Sequence, residues 1–107
     1  MTLLNLQQTF TLLVAKFIIY AYAHGYKLTL GEGYDDDGTG HMKGSLHYSR
    51  LAQDFNLFKD GEYITDTETW RPLGEYWESL SGVDHECCWG GRFGDGNHIS
   101  IAYGGKK

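Results

Sequence analysis

His47, Asp54 and His98 are side chains of the kind that bind divalent metals, and Asp95 is an acid three positions before the last of them. Asp54 falls in Leu51 to Phe58, a run that reads as a strand. On such a strand it shares a face with Ala52, Asn56 and Phe58. An aspartate flanked by apolar residues calls for a cation opposite it, because a buried charge without a partner is costly. A divalent metal is one such cation. His47, across a turn, could bring one nitrogen to the same ion, and His98, at the start of a last strand, a second. Two imidazoles and one carboxylate leave a fourth tetrahedral position for water, the pattern of a catalytic zinc. Asp95 sits between Gly94 and Gly96, which would let a loop carry it close to the ion. A carboxylate there can take a proton from water and hand it to a leaving amine. The residues also admit a plainer reading, two strand-end histidines and an Asp-Gly turn, and spacing alone leaves both open.

These residues need elements to hold them. Residues 3–24 carry apolar side chains at Leu6, Phe10, Leu13, Phe17 and Tyr20/Ala21, steps of three and four that line one helical face. Gly25 suits a left-handed C-cap. Tyr26 to Leu30 alternates as a strand, and Asp60-Gly61 marks the tip of a hairpin within Phe58 to Tyr63. Pro72 is expected as the first residue of a helix running to about Leu80, with Gly82 stopping it. Residues 83–97 read as a loop, and His98 to Tyr103 as a last strand. A long helix, then strands and a shorter helix without a βαβ rhythm, gives an α+β fold with a mostly antiparallel sheet.

Composition narrows the field further. The chain has 107 residues, 41% hydrophobic and 15% aromatic, enough for one domain with one core. That content excludes disorder. The net charge of −5, with no dense basic block, argues against nucleic acid as a partner. Cys87 and Cys88 are adjacent, which disfavours a disulfide between them and does not match a C-x-x-C site. They are expected as free thiols. The apolar run from Leu12 to Ala23 has no basic residue before it and is interrupted by Lys16, so neither a signal peptide nor stable membrane insertion is expected.

Two spaced motifs carry a resemblance. Ser45-x-His47-x-x-x-x-Ala52-x-Asp54, followed by Trp89-Gly90-Gly91-x-Phe93-x-Asp95-x-x-His98, resembles the M15 family of zinc peptidases. It is most similar to the bacteriophage endolysin-type L-alanyl-D-glutamate peptidases, relatives of the D-Ala-D-Ala carboxypeptidases. Asn56 to Gly61, Gly74 to Leu80 and the N-terminal helix with Gly31-Glu32 extend it over nearly the whole chain. The resemblance implies the small α+β fold shared with the Hedgehog signalling domain. It implies Zn2+ held by His47, Asp54 and His98, with Asp95 as general base and acid. Ser45, Arg50 and Trp89 are expected at the substrate, a peptidoglycan stem peptide. A monomer is expected, made in the host cytoplasm and released to the cell wall at lysis. Two other activities stay open beside this one: a D,D-carboxypeptidase or dipeptidase of the same family, and a non-catalytic zinc-bearing module that binds wall peptides or a protein.

The chain also departs from that family. Tyr34-Asp35 stands where relatives carry an aromatic residue followed by arginine, and only a short stretch separates it from Ser45. An arginine there gives charge-assisted hydrogen bonds to developing negative charge. Arg50, Arg92 or Lys43 would have to stand in. Asp35-Asp36-Asp37-Gly38 lacks the glutamate of a calcium loop, since Leu46 takes the twelfth position. His85 with Cys87 and Cys88 is a weaker second metal cluster. Trp70 and Trp77 are expected in the core.

Overall fold

The structure is a computed structural model, and it describes residues 1–31 and 46–107. The sequence expectations for Tyr34, the Asp35–Asp37 run, Lys43 and Ser45 lie outside the described residues.

Helix α1 spans Leu3–Ala23. Thr2 caps it by accepting a hydrogen bond from the Asn5 N–H at 3.1 Å. Its inner face buries Leu6, Phe10, Leu13, Phe17 and Ala21, the expected stripe. Gly25 closes it at φ +86°, and the Tyr26 N–H returns to the Ala21 carbonyl at 3.0 Å. Taken whole, α1 is long and apolar enough to cross a membrane by length and composition. The shorter Leu12 to Ala23 run therefore understated its reach.

Strands β1 (Lys27–Leu30), β2 (Ala52–Lys59), β3 (Glu62–Ile64), β4 (Cys87–Trp89) and β5 (His98–Ile101) form one antiparallel sheet. β2 is its organising strand. The first half pairs with β5 and the second half with β1 and β3. Asp60 (φ +53°) and Gly61 (φ +80°) make the tight turn into β3, as an Asp-Gly pair should. This is the α+β architecture expected, with α1, the five-stranded sheet and one shorter helix.

That helix, α2, differs from expectation. It spans Thr67–Ser79, so it starts five residues before Pro72 and holds the proline inside. The reason is Asp66, whose carboxylate accepts from the Thr69 N–H at 2.9 Å and so caps an earlier start. A second difference is β4 with the 3-10 helix Gly90–Phe93, both inside the stretch read as a loop. The last strand ends at Ile101, two residues early, and Tyr103 instead bridges Lys106.

The core lies between the sheet and the two helices. The indole of Trp77 meets the rings of Phe10 and Phe17 edge-on at 5.7 and 5.9 Å, and Phe17 also meets Phe55 at 5.4 Å. Trp77 Nε1 donates to the Ser100 carbonyl at 3.0 Å, which fixes α2 over β5. Aromatic pairs of this geometry stabilise beyond their buried area.

Candidate metal centre

The site forms where β2 and β5 lie side by side. Asp54 and His98 are direct partners in the antiparallel register, so their side chains project from the same face of adjacent strands. On β2, Phe55 and Leu57 point into the core while Asp54 and Asn56 occupy the other face, half-buried. The alternation that the sequence showed thus delivers Asp54 to the face opposite Phe55 and Leu57.

His47 arrives from a compact turn at 46–50. The Ser49 and Leu51 N–H groups both donate to the Leu46 carbonyl, and the Arg50 N–H to the His47 carbonyl. Leu46 and Leu51 are buried, and Gln7 Nε2 of α1 donates to the Ser49 carbonyl at 2.9 Å. The turn is therefore anchored to core and helix, and His47 is only 2% exposed.

The three side chains converge. Asp54 Oδ1 lies 3.0 Å from His98 Nδ1 and 3.4 Å from His47 Nε2. One ligand atom from each residue can be chosen so that all three lie within 4.8 Å of one another. A tetrahedral zinc with ligands near 2.0–2.1 Å separates neighbouring ligand atoms by about 3.3 Å. The two Asp54 distances bracket that value, and the two imidazoles and carboxylate could hold a metal ion. Among the described residues this is the one such group; His85, Cys87 and Cys88 do not assemble into a second. Burial pushes the Asp54 carboxyl up, but the hydrogen bonds and charges of His47 and His98 outweigh it and hold the group at about 2. Asp54 is ionised at neutral pH, as a ligand must be.

The 90–98 segment is built around close backbone approaches. The Asp95 N–H donates to the Gly90 carbonyl at 2.9 Å, and the His98 N–H to the Asp95 carbonyl at 3.2 Å. A Cβ on Gly90 would strike the Asp95 carbonyl and His98 Cβ, so only glycine fits. Gly94 at φ +84° ends the 3-10 helix. The Asp95 side chain is exposed and makes no hydrogen bond or ion pair within the described residues. It lines a polar cavity of about 220 Å³ together with Tyr63, Thr65, Thr67 and Asn97. Spacing gave no hint of that cavity, because β3 and the start of α2 supply half its wall.

Of the expected substrate residues, Arg50 and Trp89 lie among those described. Arg50 is exposed and holds φ +58°, a conformation that favours glycine. Arg92 makes a two-pronged ion pair with Glu78, at 2.9 and 2.7 Å. Trp89, expected at the substrate, is 1% exposed, with its ring against Gly74 and Gly91. Its Nε1 donates to the Gly96 carbonyl at 2.8 Å, and the Arg71 and Arg92 guanidinium groups lie 5.5 and 5.4 Å from its ring centre. Trp89 braces the loop that carries Asp95. Phe93, 59% exposed with its ring 6.3 Å from His98, is an aromatic side chain beside the cluster, and sequence reasoning passed it over. Its place in the Trp89-to-His98 motif was the available signal.

No protein family, curated protein or solved structure matches this chain.

Proposed function

We propose that this chain is a zinc-dependent hydrolase of peptidoglycan stem peptides, with the L-alanyl-D-glutamate bond as its first candidate. The observation that carries the reading is the convergence of His47, Asp54 and His98 within 4.8 Å. The resemblance of the two motifs supplies the substrate class. A divalent metal bound by these three residues would supply Lewis-acid activation of water and charge to oppose a developing oxyanion. Asp54 contributes the negative charge that retains the cation. The two imidazoles, one on a buried turn and one on a strand, fix its position. Asp95, unpaired and exposed on a braced loop, is free to receive a proton on its carboxylate and deliver it to the leaving amine. The wider reading follows from the same source: a monomer, made in a host cytoplasm and reaching the wall at lysis.

The test pairs metal analysis with digestion of defined stem peptides read by mass spectrometry. One equivalent of zinc, cleavage by the wild type, and zinc retention with turnover lowered about 10²–10⁴-fold in Asp95→Asn are expected. The cut position separates the endopeptidase from a D,D-carboxypeptidase. A second reading, a non-catalytic zinc-bearing module for wall peptides, draws on the ion pair that engages Arg92, one candidate for the oxyanion-binding arginine, with Glu78. Full zinc content with no cleavage of any stem peptide by the wild type would establish it over the hydrolase.

A further inference from the structure

Helix α1 is apolar on both sides. Opposite the face that enters the core, Leu4, Leu12, Ala15, Ile19 and Tyr22 form a second stripe, and all five are exposed. Leu4 and Leu12 are each 59% exposed and Ile19 69%. At 100° per residue these five fall within a quarter-turn, interrupted only by Gln8. A surface helix ordinarily turns charged residues outward. A contiguous apolar stripe facing outward marks an interaction surface.

Charge identifies the occupant. Helix α1 has no acidic residue, and its one lysine, Lys16, is exposed; Lys27, on β1, is exposed too and shares a groove with Tyr22 and Asp60. All fourteen Asp and Glu residues lie from Glu32 onward. A second copy docking through the same stripe would set lysine near lysine with no acid on either helix to neutralise them. An anionic lipid surface supplies both missing partners: an acyl boundary for the leucine and isoleucine side chains, and headgroup charge for lysines that can snorkel toward it.

We propose that the outer face of α1 lies flat on membranes bearing anionic phospholipid, docking the domain without inserting it. The helix meets the length and composition of a membrane span, yet its other face is committed to the core, so it lies in the interface plane. Its 21 residues give a contact line about 32 Å long. This surface is independent of the metal centre, and docking is expected to be the same in EDTA and in zinc.

The experiment is co-sedimentation of the full chain with vesicles of phosphatidylethanolamine and phosphatidylglycerol, and with phosphatidylcholine alone, at low and high salt. Wild type should partition to the anionic vesicles and release in salt. Leu12→Gln/Ile19→Gln should lower partitioning at least about tenfold, since each side chain kept from lipid forfeits a factor of that order. Lys16→Gln/Lys27→Gln should lower it about fivefold per lysine on anionic vesicles only. All four residues are exposed, so circular dichroism should show both variants folded, and Thr11→Ser, at the stripe's edge, serves as the unaffected control. The proposal is overturned by wild type that stays in the supernatant, by equal binding to phosphatidylcholine, or by wild-type-like binding of the Leu12/Ile19 variant. A wild-type dimer that the Leu12/Ile19 variant makes monomeric overturns it in favour of self-association.

Discussion

Asp54→Asn isolates the charge at the centre of the site. Asparagine has nearly the shape of a protonated aspartic acid, so the linkage between ionisation and folding sizes the effect. Burial raises the Asp54 carboxyl, and the hydrogen bonds and charges of His47 and His98 more than reverse this, taking it from an ordinary 3.8 to about 2. That gap corresponds to about 2.5 kcal/mol. Water still reaches the carboxylate, and screening reduces the figure to about 1–2 kcal/mol. For a domain of this length the loss is about 5–12 °C in Tm. The assay is thermal unfolding in EDTA at low salt, followed by the same scan in zinc. A folded-state value held below the unfolded one adds stability that is complete above the unfolded value and is lost as pH falls through about 2. The gap between wild type and variant should therefore hold from pH 7 to about 5 and close between about pH 4 and 2. Zinc at a hundred times its Kd should raise wild-type stability by about 2.7 kcal/mol and the variant far less. Equal melting of the two proteins in EDTA, with the same zinc-induced rise, would refute the assignment of Asp54 as the shared acceptor and ligand.

Arg50→Gly should be about 1 kcal/mol more stable than Arg50→Ala in urea unfolding, because both remove the guanidinium and only glycine accepts φ +58° without strain. If Arg50 also contacts substrate, the two variants should show the same rise in KM or fall in kcat. Gly74→Ala sets a methyl into the Trp89 indole and should cost about 1–3 kcal/mol, with a shifted tryptophan emission. Burial pushes the Cys87 thiol up to about 12 and raises that of Cys88. Iodoacetamide at pH 8 should label neither in the native protein and both in denaturant; fast native labelling would contradict their burial.

The sequence made some of this legible because the physics was local. The stripe from Leu6 to Ala21 repeats often enough to expose its period, and Asp60-Gly61 is a turn by backbone preference alone. Asp54 was visible as an acid out of place on a strand. What stayed hidden depended on remote partners. Cys87, Cys88 and Trp89 are all buried, so β4 shows no alternation to betray it as a strand. Pro72 resembled a helix start because the true cap, Asp66, sits in a polar run with several capping candidates. Trp89 looked like a cleft residue because glycines follow it, while the surface it fills comes partly from Gly74 on α2. The outward stripe of α1 was in the sequence too, but only knowing which face meets the core separates it from the inner one.

The pairing of Asp54 with His98 has a consequence for how the sheet forms. The two residues are 44 positions apart and meet only when β2 and β5 are aligned to the residue. A slip of one position would turn Asp54 toward the side of Phe55 and Leu57 and scatter the donors. An ion seated there would act as a clasp that closes on one alignment alone. Metal uptake during refolding would then serve as a clock for the moment the two strands find their match.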